Sequence, residues 1–258
     1  MYDLEDPRLA RTPVIDVPVT ATNMGCVLSF IAENLESIRG EYICVSNAHT
    51  TVMAHDDPNY YRVQTESLMS VPDGKPLSIL GRRSVPRMGR VTGPDLMREI
   101  LAVSVERGYR HYFYGNTREN LDALVASLKR DYPGLIICGS EPSVFREMAQ
   151  EEESELARRV NRTNPDFVWV ALGAPRQEEF CHRMRGRIDG LMIGVGGAFN
   201  ILAGITPEAP IWMQDLSLEW LYRLIQEPRR LLKMYLVTNT KFMFYQLTGS
   251  KRKREKSR

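Results

Sequence analysis

The regular alternation of short apolar runs with amphipathic runs does most to limit how this chain can fold. Seven runs are typical of β-strands, and six segments with helical periodicity lie between them. Glycine follows several of the strand-like runs, as at Gly115, Gly173 and Gly196. This pattern predicts an α/β fold: a Rossmann-like, mostly parallel sheet with helices on both faces and ligands at the carboxyl ends of its strands.

The predicted elements end near residue 200. The predicted strands are Val14–Val19, Glu41–Ser46, Leu68–Val71, Arg110–Tyr114, Gly134–Gly139, Phe167–Leu172 and Leu191–Val195. The predicted helices are Asn23–Arg39, Thr51–His55, Asp95–Arg107, Thr117–Asp131, Glu147–Asn161 and Gln177–Arg187. Beyond Gly204, prolines separate further helical segments and no strand is evident. We therefore expect a Rossmann-like domain over residues 1–204 and a helical appendage over 205–258.

The formal charge of +2 hides a strong asymmetry along the chain. Residues 223–258 hold 11 Lys and Arg against 2 Asp and Glu, a net charge of +9, which leaves −7 for residues 1–222. Large apolar residues such as Leu231, Tyr235 and Phe242 lie among these charges, and the chain ends in KRKREKSR. Such a segment is typical of a helix on an anionic membrane surface, more than of a nucleic-acid reader. A helix packed on its own domain is the alternative.

Several familiar kinds of site are absent from the sequence. The four cysteines are scattered, and the chain has no CxxC pair, HExxH, Walker A or GxSxG motif, and no GxGxxG after its first strand. It also lacks a D-x-D pair, so we expect neither a metal site nor a cofactor. Without a signal peptide or a long apolar run, a cytoplasmic protein is expected.

Three stretches carry residues suited to chemistry. In VPDG (71–74), Asp73 lies on a turn, where a carboxylate either caps its own backbone or acts as a general base. LGAPRQE (172–178) lies at the start of a predicted helix. Its residues either serve only to begin that helix, or its free backbone amides bind a phosphate. GVGGAFN (194–200) is a glycine-rich strand end, where the backbone can approach a ligand closely.

Taken in order, these stretches resemble the WecG/TagA/CpsF family of bacterial glycosyltransferases. The resemblance runs from about Val14 to about Tyr245. The segments that carry it are Val45-Ser46-Asn47, VPDG (71–74), VTGPDL (91–96), FYG (113–115), LGAPRQE (172–178), GVGGAFN (194–200) and LEWLYRLIQEPRR (218–230).

The resemblance implies an inverting, metal-independent enzyme. It would move a sugar, most often of the N-acetylmannosamine type, from a UDP-sugar to a polyprenyl-diphosphate-linked acceptor in teichoic acid or cell-surface polysaccharide synthesis. The enzyme would lie at the inner face of the bacterial membrane, with no nucleic acid partner. The alternatives are another UDP-hexose donor for a capsule or exopolysaccharide, and a non-catalytic nucleotide-sugar binding protein. Self-association into a homo-oligomer also stays open.

The resemblance also implies roles for individual residues. Asp73 would be the catalytic base, with Asn47 lining the same pocket. Arg223 and Arg230 of the appendage would stabilise the charge that develops on the leaving UDP. The remaining residues expected to bind the donor are Gly173, Pro175, Gln177, Gly196, Gly197, Asn200 at the ribose, Phe145 stacked on uracil, and Lys233.

The chain departs from the family pattern at three positions. Val45 stands where the family has threonine, Asn200 where it commonly has aspartate, and Glu208 where it usually has a basic residue. Asn200 can still hydrogen-bond a ribose hydroxyl, although without a charge. The charge reversal at Glu208 leaves the details of acceptor binding open.

Overall fold

The computed structural model describes residues 2–216 and 218–249, without the side chains of Asp215 and Arg230. Its strands are β1 (Arg11–Val14), β2 (Val17–Thr20), β3 (Tyr42–Ser46), β4 (Met69–Pro72), β5 (Arg110–Gly115), β6 (Ile136–Glu141), β7 (Phe167–Ala171) and β8 (Leu191–Gly194). β3 to β8 form one parallel sheet in the order β4-β3-β8-β7-β5-β6. The predicted Rossmann-like α/β architecture is confirmed.

The helices cover both faces of this sheet. They are α1 (Met24–Asn34), α2 (Ala48–Asp56), α3 (Pro58–Thr65), α4 (Lys75–Gly81), α5 (Gly93–Arg107), α6 (Arg118–Asp131), α7 (Gln150–Arg162), α8 (Arg176–Met184), α9 (Ala198–Leu202), α10 (Ile211–Asp215), α11 (Glu219–Gln226) and α12 (Pro228–Thr248). One face packs against α1, α5, α6 and α9, and the other against α2, α3, α7 and α8. Since both faces are covered, central strands such as β7 are buried at every residue.

The connections leave the carboxyl edge of the sheet in two directions. After β3 and β7 the chain passes to the face of α2 and α8, whereas after β5 and β8 it passes to the face of α6 and α9. Where neighbouring strands send their connections to opposite faces, a crevice opens at the carboxyl edge, and in such folds ligands bind there. The candidate residues should therefore be sought along this edge.

The N-terminal strand prediction was wrong in detail. Instead of one strand over Val14–Val19, β1 and β2 pair as an antiparallel hairpin. Ile15 and Asp16 form its turn, with φ angles of +46° and +65°. Positive φ at both central residues is typical of a type I′ hairpin turn, which is usually formed by Asn-Gly. The sequence Ile15-Asp16 is not typical of such a turn, so the sequence pattern predicted a single strand in place of the two.

Beyond Gly204 the regular elements of the described residues are the helices α10, α11 and α12, as predicted. The predicted boundary falls in the connection between α9 and α10. α12 packs along α2, and its Phe242 side chain, 5% exposed, enters an apolar cluster with Val52 and Leu77. No helix in the described ranges is both long and apolar enough to cross a membrane.

Candidate active site

The candidate residues follow successive strands along the carboxyl edge of the sheet. Asp73 follows β4 and Asn47 follows β3, two strands that pair in parallel so that Ser46 lies beside Pro72. The glycines of GVGGAFN lie at the end of β8, and Gly173 lies just after β7. Phe145 follows β6, at the opposite edge from Asp73. With strands ~4.8 Å apart, this six-strand row is about 24 Å long, which suits an extended ligand.

The turn at Asp73 is held by its backbone. Its amide donates to the carbonyl of Ser46 over 2.8 Å, which extends the pairing of β3 with β4 by one step. Arg90 Nε donates to the carbonyl oxygen of Asp73, also over 2.8 Å. These bonds fix the half-buried Asp73 carboxyl at the end of the sheet.

Asn47 has two tasks at the start of α2. Its Oδ1 accepts from the amides of His49 and Thr50 over 3.0 and 3.2 Å, while Thr50 Oγ1 accepts from the Asn47 amide in return. This capping box uses the side-chain oxygen of Asn47. The Nδ2 group remains as the donor in the hydrogen bond that the Asn47 side chain makes with the Asp73 carboxylate.

The surroundings of Asp73 push its pKa in opposite directions. Burial raises the pKa, while the guanidinium groups of Arg223 and Arg90 and the Asn47 hydrogen bond lower it, and Glu219 raises it. The net effect is a pKa above the usual value. A carboxylate with a raised pKa accepts a proton more readily, which is what a general base requires.

Arg90 also connects the turn to the appendage. It forms an ion pair with Glu219, the first residue of α11. Arg223 lies four residues further along α11, hence on the same helical face as Glu219. The Arg90–Glu219 pair therefore brings Arg223 towards Asp73. Arg90 was not among the predicted site residues, although it directly precedes the VTGPDL segment (91–96).

α12 is attached to α2 through several polar contacts. His49 Nδ1 lies 3.0 Å from Thr238 Oγ1. Asp56 accepts from Lys241 Nζ and from the Tyr245 hydroxyl, each over 2.6 Å. α11 is attached in turn, since Trp220 packs edge-to-face on Tyr235 of α12 with ring centroids 6.2 Å apart. Helix α12 thereby holds α11, and Arg223 with it, over the carboxyl edge.

Gln177 lies beneath the glycine-rich loops. Its side chain is 6% exposed, and its Oε1 accepts from the Gly173 amide over 3.2 Å. A Cβ added at Gly194 or Gly196 would meet the Gln177 side chain at 3.2 or 3.1 Å. Gln177 thus fills the space that these two glycines leave. The surface above it consists of backbone, with Gly173 exposed and Pro175 half-buried. At Gly197, an added Cβ would face open space.

A cluster of asparagines lies near the ends of β5 and β8. Asn200 Oδ1 accepts from Asn116 Nδ2 over 2.6 Å and from Asn120 Nδ2 over 3.3 Å. The Asn116 carbonyl also accepts from the Ser143 amide over 3.2 Å, which attaches the loop that carries Phe145. Phe145 is 60% exposed, as an aromatic platform for a ligand must be. Asn116 and Asn120 were not among the predicted site residues.

The other residues that we selected lie elsewhere. Lys233 is exposed on α12, and within the described ranges no hydrogen bond joins it to Asp73. The Arg230 side chain lies outside the described residues. The Glu208 carboxylate accepts from both terminal nitrogens of Arg98, over 3.1 and 2.7 Å, so its negative charge forms an ion pair within the protein. Val45 is buried in the main core.

In the described part of the chain, no three His, Cys, Asp or Glu side chains lie close enough together to hold a metal ion.

A Rossmann-like sheet with a carboxylate, an amide and arginines at its carboxyl edge defines an α/β enzyme whose site lies at the strand ends. The chain belongs to the glycosyl transferase WecG/TagA/CpsF family, whose model matches residues 12–257. It is therefore a glycosyltransferase.

A relative from Bacillus subtilis (strain 168) is 29% identical over 93% of this chain and 91% of its own length. A second, from Bacillus spizizenii (strain ATCC 23059 / NRRL B-14472 / W23), is 29% identical over 78% of this chain and 77% of its own. Each is named N-acetylglucosaminyldiphosphoundecaprenol N-acetyl-beta-D-mannosaminyltransferase.

Proposed function

We propose that this protein transfers a sugar of the N-acetylmannosamine type, with inversion, from a UDP-sugar to a polyprenyl-diphosphate-linked acceptor. Both relatives are named for transfer of an N-acetyl-mannosaminyl group to such a lipid-linked acceptor. The observation that carries the proposal is the half-buried Asp73 carboxyl with a raised pKa, which is hydrogen-bonded to Asn47 and lies within the electrostatic reach of Arg223. A single displacement at a sugar carbon needs a base for the attacking hydroxyl and a cation for the leaving phosphate, and Asp73 and Arg223 supply these two groups.

The proposed reaction is a direct displacement. Asp73 takes the proton from the acceptor hydroxyl while the oxygen of that hydroxyl attacks the anomeric carbon. The bond from this carbon to the UDP oxygen breaks, and its electron pair stays on the β-phosphate. Attack from the side opposite to UDP inverts the anomeric centre. Arg223 stabilises the charge on the leaving group, since a guanidinium can donate two hydrogen bonds to a phosphate.

In this proposal Arg223, with Arg230, does the work that a divalent cation does in other sugar-nucleotide enzymes. Turnover should then be the same after treatment with EDTA as after addition of Mg²⁺ or Mn²⁺. A rate that EDTA abolishes and Mg²⁺ restores would overturn metal independence, while leaving the transfer reaction itself intact.

The direct test is UDP release from a panel of UDP-sugars. Wild type and Asp73→Asn are compared with a polyprenyl-diphosphate-N-acetylglucosamine analogue and detergent present. We expect release with UDP-N-acetylmannosamine, dependent on the acceptor and lost in the variant. Release with another UDP-hexose alone would replace the donor in the proposal. If no donor gave release, the proposed reaction would be wrong.

We further propose that the appendage attaches the enzyme peripherally to the inner face of the bacterial membrane. α10 to α12 expose many large apolar side chains, among them Trp212, Ile225, Leu236 and Leu247, next to the basic residues Arg229, Lys233 and Lys241. The polybasic run 251–258 lies outside the described residues. Co-sedimentation with phosphatidylglycerol vesicles should exceed that with neutral vesicles and should weaken in salt. Equal binding to both vesicle types would contradict the electrostatic part.

A further inference from the structure

Three asparagines near the ends of β5 and β8 fix one another's orientation. The backbone amide of Thr117 can only donate a hydrogen bond, and it lies 2.9 Å from the Asn116 side chain. The Asn116 atom that faces this amide is therefore Oδ1, and the Nδ2 group of the same side chain lies 2.6 Å from the Asn200 side chain. Because Nδ2 can only donate, Asn200 turns its own oxygen towards Asn116.

Asn120 supports the same orientation. Its Nδ2 donates to Asn116 Oδ1 over 2.9 Å and to Asn200 Oδ1 over 3.3 Å. A reversed Asn200 amide would set one NH₂ group against another at both contacts. The Asn200 amide is therefore held in one of its two possible orientations.

The backbone of Asn116 is fixed on both sides. Its amide donates to the carbonyl of Ala171 at the end of β7 over 3.0 Å, and its carbonyl accepts from the Ser143 amide over 3.2 Å. Its φ of +60° lies in the left-handed region, which asparagine adopts more readily than most residues. Asn116 is thus a rigid point between β7 and the loop that carries Phe145.

The Nδ2 group of Asn200 remains available to a ligand. It has no hydrogen-bond partner in the described part of the chain, and it is not among the buried polar atoms without one, so solvent reaches it. Along the sheet, the asparagines lie between the exposed Phe145 after β6 and the glycine-rich loops at Gly173 and Gly196. In a nucleotide bound with its base at Phe145 and its phosphates at the glycines, the ribose lies between the two.

We propose that Asn116 is a positioning residue that turns the Asn200 NH₂ group outward, so that this protein donates a hydrogen bond to a ribose oxygen of the donor nucleotide. A carboxylate at position 200 would do the opposite and accept from the ribose hydroxyl, since an ionised carboxylate has no proton to donate. The inference rests on the proposed function, because it assumes that a UDP-sugar binds along the carboxyl edge of the sheet.

The test is the affinity of nucleotides that differ at a ribose hydroxyl, measured by titration calorimetry. The probes are UDP and its analogues with hydrogen or fluorine in place of the 2′- or the 3′-hydroxyl. At one of these positions, loss of the hydroxyl should weaken wild-type binding about two- to tenfold, the contribution of one hydrogen bond. Fluorine accepts a hydrogen bond weakly and cannot donate one. The Kd of the fluoro analogue divided by that of the deoxy analogue therefore reports whether the protein presents a donor or an acceptor.

Two isosteric substitutions should reverse the preference. Asn200→Asp still accepts from Asn116 and Asn120 and presents its second carboxylate oxygen to the ligand. Asn116→Asp still accepts from the Thr117 amide but offers Asn200 an acceptor at the closest contact, so the Asn200 amide turns over and presents its oxygen. In both variants the fluoro-to-deoxy ratio of Kd should be at least about twofold higher than in wild type.

The matched control is Asn59→Asp, which adds the same charge at an exposed position of α3. Its ratio should equal that of wild type. An added negative charge weakens the fluoro and deoxy analogues alike, so it cancels in the ratio, as does the effect of fluorine on the shape of the ribose. A purely structural role of Asn116 would also weaken both analogues alike and leave the ratio unchanged.

The outcomes separate this inference from the proposed function. If UDP binds and the ratio is the same in all four proteins, or if wild type binds UDP and both deoxy analogues equally, the inference is refuted and the proposed function stands. A ratio that rises in Asn200→Asp alone would refute the positioning role of Asn116. If wild type does not bind UDP, both proposals fail.

Discussion

Two phenylalanines on α12, Phe242 and Phe244, allow two roles of the appendage to be tested independently. One role is packing of α12 on α2, and the other is the proposed contact with a membrane. Phe242 is 5% exposed in the cluster with Val52 and Leu77, whereas Phe244 is 57% exposed. Phe242→Ala should remove the packing that holds α12 on α2. Phe244→Ala removes the same side chain from the outer surface and serves as the matched control.

The expected size follows from burial. Replacing a buried phenylalanine by alanine costs about 3–5 kcal/mol. At 1.4 kcal/mol per factor of ten, docking should weaken by a factor between about 10² and about 4 × 10³. When α12 leaves α2, α11 leaves with it, and Arg223 no longer faces Asp73. Turnover should therefore fall, while the sheet should keep its fold and its affinity for UDP. The exposed Phe244 should change stability by about 0.5 kcal/mol at most.

The assay pairs turnover on a short-chain, water-soluble acceptor analogue with co-sedimentation on phosphatidylglycerol vesicles. Phe242→Ala should lose turnover and gain protease cleavage in residues 205–210, while still binding vesicles. Phe244→Ala should keep turnover and bind vesicles more weakly. Equal turnover in the two variants would refute the idea that docking of α12 completes the site.

Three further changes test the site. Asp73→Asn should lower turnover about 10²–10⁴-fold, the usual contribution of a general base, with UDP affinity unchanged by calorimetry; undiminished turnover would exclude Asp73 as the base. Arg223→Ala should lower kcat about 10²–10³-fold and shift the acid limb of the pH–rate profile to higher pH, because the strongest influence that lowers the pKa of Asp73 is lost; an unshifted limb would place Arg223 away from Asp73. Glu178 has a pKa of about 7 in the native state, against 4.5 in the unfolded chain. As the pH rises from 4.5 to 7, the wild-type free energy of unfolding should therefore fall by about 3 kcal/mol relative to that of Glu178→Gln. Parallel pH dependences of the two free energies would contradict this.

The sheet could be predicted from the sequence because parallel strands buried on both faces appear as continuous apolar runs. FVWVA of β7 is one example, and Gly173, two residues after this run, indicates from the sequence alone that the strand has ended. Asp73 and Asn47 follow two such runs, so their closeness also follows from the parallel pairing of β3 and β4. Helix α3 was missed because its sequence, PNYYRVQT, is largely polar and carries little apolar periodicity.

The supporting residues of the site could not be predicted, because their partners are distant in the chain. Arg90 acts through Glu219, 129 residues away, and this pair exists only once α11 is docked. Gln64 and Tyr60 lie on α3, so their link to Ser46 depends on how that helix packs beside β3. Single-sequence patterns report local periodicity and turns, and carry no signal for such contacts.

The two sides of α12 connect the proposed membrane contact with the chemistry. One side, through Thr238 and Phe242, packs on α2, the helix that Asn47 caps. The other side exposes Leu236 and Phe244. A lipid surface that covers the exposed side stabilises the helical form of α12, and the same helix holds α11 and Arg223 over Asp73. By linkage, a lipid surface that binds the docked form more tightly than the undocked form also favours docking. Vesicles should therefore raise turnover on the water-soluble acceptor analogue, and should raise it most in Phe242→Ala, where docking limits the rate.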